Sequence, residues 1–85
     1  MSGLRKSRVE VIRDVLKEAG NGADKTRIMY GSNLNFACFN RYFRELIEKG
    51  LIVEAESNLD GTKIYKTSEK GLQLLEVLEK ADELI

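Results

Sequence analysis

Eighty-five residues, 42% hydrophobic and 33% charged, make one domain with a single modest core, too short for two cores and too apolar for a disordered chain. No apolar run approaches the roughly eighteen residues of a membrane span and Met1-Ser2-Gly3-Leu4 shows no signal peptide, so a cytoplasmic location without a membrane partner is expected. Net charge is zero but unevenly laid: the chain is positive through Lys49, nearly balanced from Gly50 to Lys70 and acidic from Gly71 onward, which leaves room for a basic face beside an acidic C-terminal helix.

Residues Leu4 to Ala19 read as a first helix. Val9, Ile12, Val15, Leu16 and Ala19 recur at helical spacing, Glu10, Arg13, Asp14, Lys17 and Glu18 form the solvated side, and Gly20-Asn21-Gly22 closes it. Arg5, Lys6 and Arg8 gather where the helix dipole prefers acids, a hint of phosphate contact set against the plainer reading of a solvated chain start. Asp24 or Asn21 can cap a short second helix from Lys25 to Tyr30, with Ile28, Met29 and Tyr30 toward the core. Gly31-Ser32-Asn33 supplies the small, φ-permissive residues of a tight turn, Leu34 follows, and Asn35 sits at the N-cap of a long helix ending at Lys49-Gly50. This is helix-turn-helix spacing.

On the long helix, steps of roughly 100° gather Tyr42, Leu46, Phe39, Phe43, Phe36 and Ile47 into one arc of roughly 140°. Ala37, Arg41, Arg44 and Glu48 lie opposite, flanked by Asn40 and Cys38, so one face is core and the other is offered to a partner. After Gly50 the pattern becomes strand-like. Leu51 to Ser57 and Thr62 to Thr67 flank Asn58-Leu59-Asp60-Gly61, a hairpin that must lean on the helices. Its apolar residues fall in both parities, leaving either face open to burial. Thr67-Ser68-Glu69 offers N-cap chemistry for a last helix running to Ile85. There Leu74, Val77, Ala81 and Leu84 follow 3, 4, 3 spacing, with Leu78 in the same arc. That seam reads as a dimerisation element, the alternative being a helix that only closes its own domain.

Three stretches resemble known families. Glu48-Lys49-Gly50-Leu51-Ile52 resembles the EKGLI signature of winged-helix transcriptional regulators, and Tyr65-Lys66-Thr67-Ser68-Glu69-Lys70-Gly71 resembles their Y-x-x-T-x-x-G signature, with Ser68 where threonine is usual. Lys25-Thr26-Arg27-Ile28-Met29-Tyr30 with Asn33-Leu34-Asn35-Phe36 is similar to the small archaeal winged-helix family that includes coiled-coil chromatin proteins. The resemblance implies an α+β, mostly α fold: a winged helix-turn-helix with a two-stranded wing and a C-terminal dimerisation helix. Residues 1–71 would form the DNA-binding domain and 72–85 its dimerisation element. The implied function is double-stranded DNA binding by a homodimeric, nucleoid-associated transcriptional regulator, sequence-selective or architectural. Helix 35–49 would enter the major groove and wing 57–63 would meet the backbone. The implied contacts are Ala37, Asn40, Arg41 and Arg44 in the groove and Lys63 on phosphate. The rival is a winged helix used for protein–protein contact without DNA binding.

Several residues carry two readings. Asn35 can cap its helix or read bases; Phe36 can pack under the supporting helix or wedge against DNA. Arg41 and Arg44 can meet guanine and phosphate or pair with Glu45 and Glu48 at i, i+4. Cys38, the single cysteine, can be inert or a redox sensor, and allows no internal disulfide. Enzymatic activity finds no support: the chain lacks histidine, a Gly-rich phosphate loop and a cysteine cluster, so no cofactor and no metal are expected.

Overall fold

The computed structural model describes residues 6–55 and 57–84, with side chains described as far as Ala81. Four helices and one hairpin follow in the order α1 (Arg8–Ala19), α2 (Lys25–Gly31), α3 (Phe36–Glu48), β1 (Ile52–Glu54), β2 (Tyr65–Thr67) and α4 (Glu69–Leu84). None of these helices is long and apolar enough to cross a membrane.

Helix α1 starts at Arg8, later than the expected Leu4, because Ser7 and Glu10 form a capping box that satisfies the backbone N–H of each. The Ser-x-x-Glu spacing was available in the sequence to find it. From that start the buried face is Val11, Val15, Leu16 and Ala19, with Ile12 half-buried; Val9, expected inside, is 53% exposed because the first turn stands beyond the core. Asp24 caps α2, its carboxylate accepting from Arg27 N at 2.8 Å. Ile28 is buried and Met29 half-buried, whereas Tyr30 points out at 74% exposure. Ser32 ends α2 fully buried, its hydroxyl donating to Ile28 O at 2.7 Å, and Asn33 takes the turn with φ of 56°. Asn35 caps α3 by accepting from Cys38 N at 2.8 Å.

Helix α3 buries Phe39, Phe43 and Leu46. Phe39 and Phe43 stack at 5.0 Å between ring centroids, and Tyr65 meets Phe43 edge-on at 4.9 Å, joining the hairpin to the long helix. Phe36 departs from the expected arc: it is 70% exposed, because a helical wheel assumes that a core lies under every turn and none lies under the first turn of α3.

Strands β1 and β2 are antiparallel, pairing Ile52 with Thr67, Val53 with Lys66 and Glu54 with Tyr65. Ile52 and Thr67 are the buried pair, which settles the face that the sequence left open. Ala23 adds an isolated bridge to Tyr65, with reciprocal bonds of 2.9 Å, so the segment before α2 borders the wing. Thr67 donates from Oγ1 to Leu16 O, linking the hairpin to α1.

The two wing-flanking signatures hold each other. Ser68 N donates to Leu51 O at 2.9 Å, Ser68 Oγ donates to Gly50 O at 2.6 Å, and that hydroxyl accepts from Gly71 N at 3.1 Å as the α4 cap. Helix α4 meets Leu51 so closely at Gly71 that a Cβ there would lie 2.2 Å from Leu51 O. Beyond it, Leu74 and Leu75 pack against the core.

Candidate nucleic-acid interface

The outer face of α3 is where the sequence analysis places it. Ala37, Arg41, Arg44 and Glu48 are exposed, and Asn40 and Cys38 are half-buried at its edges. The alternative pairing of Arg41 with Glu45 is absent because Glu45 is already taken. Its carboxylate accepts from Arg8, which reaches across from α1, and from Lys49 at 2.9 Å. These two cations hold the Glu45 carboxyl at about 2, against an ordinary value near 4.5, hydrogen bonds from Arg8 and then Lys49 being the main causes. Arg8 is raised in turn, chiefly by its hydrogen bond to Glu45.

Among the described residues neither Arg41 nor Arg44 has a carboxylate partner. Arg41 rests over the Tyr42 ring at 5.6 Å, with the Arg8 guanidinium at 5.7 Å from the same ring. Lys6 and Arg8, which hinted at phosphate in the sequence, have protein partners: Lys6 bonds Asp14 at 2.7 Å and the Ser32 carbonyl, and Arg8 bonds Glu45. Burial opposes ionisation of Asp14, but Lys6 and Arg13 outweigh it and lower its pKa. Arg5 lies outside the described residues.

Two depressions continue the α3 face toward the wing. One is lined by Lys25, Asn40, Phe43, Arg44, Ile47 and Glu48, the other by Asp24, Lys25, Thr26, Arg27, Thr62, Lys63 and Tyr65. Lys25 belongs to both, with Nζ 5.5 Å above the Phe43 ring, so a single concave strip runs from Arg44 to Lys63. The structure thus brings Asn40, Arg44 and Lys63 to one strip and adds Lys25 and Arg27. Neither was legible as a site residue in the sequence, because the Ala23–Tyr65 bridge that sets the wing beside α2 is a tertiary contact. Arg41 and Ala37 lie on the outward side of α3, while Asn35 spends its carbonyl oxygen on the cap. At the wing tip, Asn58 N donates to Thr62 O and Gly61 N to Asn58 O, each at 2.9 Å. The Asp60 carboxylate accepts from Thr62 N at 3.0 Å, and this backbone bond lowers its pKa.

On α4, Leu74 lies against the domain's own core and Leu78 is half-buried, whereas Val77 at 61% and Ala81 are exposed. The Leu84 side chain, the last of the expected seam, lies outside the described residues. No group of histidine, cysteine, aspartate and glutamate with the makings of a metal site occurs among the described residues.

Two uncharacterized proteins of Methanocaldococcus jannaschii are similar to this chain. One is 28% identical over 86 residues, matching 100% of this chain, which spans only 38% of that protein's length. The other is 33% identical over 76 residues, covering 87% of this chain and 78% of that protein. In three dimensions the chain is similar to Sso10a-2, a DNA-binding protein of Sulfolobus solfataricus, with a TM-score of 0.80 and 25% identity over 93% of this chain and 81% of that one. Helix α3 after its tight turn, the hairpin leaning on α1 and α3, and a match of the winged helix-turn-helix model to residues 5–85 agree, and the chain belongs to the winged helix-turn-helix family.

Proposed function

We propose that this protein binds double-stranded DNA as a homodimer and acts as a transcriptional regulator or an architectural chromatin protein. The observation that carries the reading is that Arg41 and Arg44 stand on the exposed face of the helix that follows the turn with no carboxylate partner among the described residues, Glu45 being held by Arg8 and Lys49. In this reading α3 lies in the major groove, where Asn40, Arg41 and Arg44 reach base edges and phosphates and Ala37 permits close approach. Lys63, Lys25 and Arg27 meet the backbone along the concave strip, and Asn35 keeps its amide N–H groups for a phosphate beside the cap. The resemblance to Sso10a-2, described as DNA-binding, supports the same reading. In the dimer, Val77, Leu78, Ala81 and Leu84 form the seam with Leu74 at its inner end, and two copies of α3 double the phosphate contacts that one near-neutral chain lacks.

Titrating a fluorescent duplex at increasing salt tests this. Wild type should bind at low salt and lose affinity steeply as salt rises, while Arg41→Ala with Arg44→Ala should keep the fold and bind markedly more weakly. Unchanged affinity in the folded double variant would reject the groove assignment. No binding by wild type at low salt would favour the protein–protein module instead.

A further inference from the structure

We infer that Phe36 reads the 5-methyl group of thymine, giving the long helix a preference for A·T pairs that hydrogen bonding alone does not supply. The inference rests on the proposed placement of α3 in the major groove. Phe36 is the first residue of α3, and its ring is 70% exposed and takes no part in the core. An exposed apolar side chain is ordinary on a protein surface. Its position is what distinguishes this one: it directly follows the cap, adjoins the exposed Ala37, and stands one turn before Asn40. The leading residues of a helix entering the major groove are those nearest the base edges.

Thymine is distinguished there by an apolar group, the C5 methyl, and an exposed phenyl ring is a chemical match for it. Asn40, one turn on, has its Oδ1 enclosed with no hydrogen-bond partner among the described residues, so that oxygen is not open to adenine and the A·T preference falls to the ring. Arg41 and Arg44, farther along the helix, remain to hold phosphate.

The test compares binding to an alternating A·T duplex and to its A·U counterpart, in which each thymine lacks only the methyl group; every register then offers the same edges. Wild type should bind the uracil duplex more weakly, by about fourfold for each methyl buried against the ring. Phe36→Ser, at a site outside the core, should melt near wild type and bind both duplexes alike. Equal affinity of wild type for the two duplexes would overturn the inference while leaving duplex binding intact, and this arm needs no variant. Full discrimination retained by Phe36→Ser would overturn it as well, placing the methyl contact elsewhere. Failure of wild type to bind either duplex would remove the underlying DNA-binding reading and this inference with it.

Discussion

Replacing Gly71 by alanine probes the close approach of α4 to the backbone at the entrance of β1. The added Cβ would lie 2.2 Å from Leu51 O, 3.1 Å from Leu51 C and 2.6 Å from Thr67 Cγ2. Two of these atoms are backbone, and Leu51 O already accepts from Ser68 N, so relief requires α4 to move away from the β1 entrance. Overpacking of this severity costs about 3 kcal/mol. Loosening the Ser68–Leu51 bond adds roughly 1 kcal/mol. Alanine returns about 1 kcal/mol of helix propensity, leaving a net loss of roughly 3 kcal/mol. For a domain of this size that lowers Tm by about 12–24 °C. Circular dichroism melts, with urea titration as a second measure, read the effect directly. Gly31→Ala is the control, because the atoms nearest its Cβ belong to the Glu18 side chain, which can swing aside; it should melt near wild type. A Gly71→Ala protein melting within about 5 °C of wild type would refute the argument that the α4–Leu51 contact is rigid.

The remaining predictions concern charge and assembly. Glu45 is depressed in the folded state, so its stabilising contribution is full above about 4.5 and lost as pH falls toward about 2. Glu45→Gln should therefore differ most from wild type in Tm near neutrality and converge with it below pH 4.5; melting curves that stay parallel throughout would contradict this. Lys63→Ala should weaken binding to all duplexes similarly and flatten the salt slope by about one unit, and a loss confined to one sequence would make Lys63 a base reader. If α4 makes the dimer, light scattering should give twice the monomer mass for wild type, and glutamate at both Val77 and Ala81 should give a folded monomer. A wild-type monomer at high micromolar concentration would sink that assembly.

Local chemistry was legible in the sequence where one residue decides the outcome. Asn35 caps the long helix, Asp24 rather than Asn21 caps α2, the Asp60-Gly61 turn closes a hairpin, and Arg41 and Arg44 face outward. Where the outcome depends on what lies under a helix turn, periodicity misled. Val9 and Phe36 both satisfy the apolar pattern, yet both sit in first turns that extend past the core. Charge spacing left two readings of Arg41 open, pairing with Glu45 at i, i+4 or facing a partner, and a contact invisible in local sequence decided between them: folding brings Arg8 from 37 residues away to the Glu45 carboxylate. Lys25 and Arg27 escaped notice because their proximity to Lys63 is a property of tertiary structure.

The bridge between Ala23 and Tyr65 bears on how such a molecule would meet a curved polymer. A two-stranded ribbon fixed only at its root can swing, and a swinging wing adapts its reach to whatever lies before it. Here the outer edge of the ribbon is bonded at 2.9 Å in both directions to the segment entering α2, making the wing root a bracket. The span from Lys25 to Lys63 is then set largely by backbone bonds. In the proposed complex, conformational adjustment would fall to the other partner: a duplex whose local groove width already suits that span would bind without deformation, whereas a stiffer or wider one would have to be bent to fit. Preference among sequences would thus arise in part from their elasticity, at base pairs that no side chain touches.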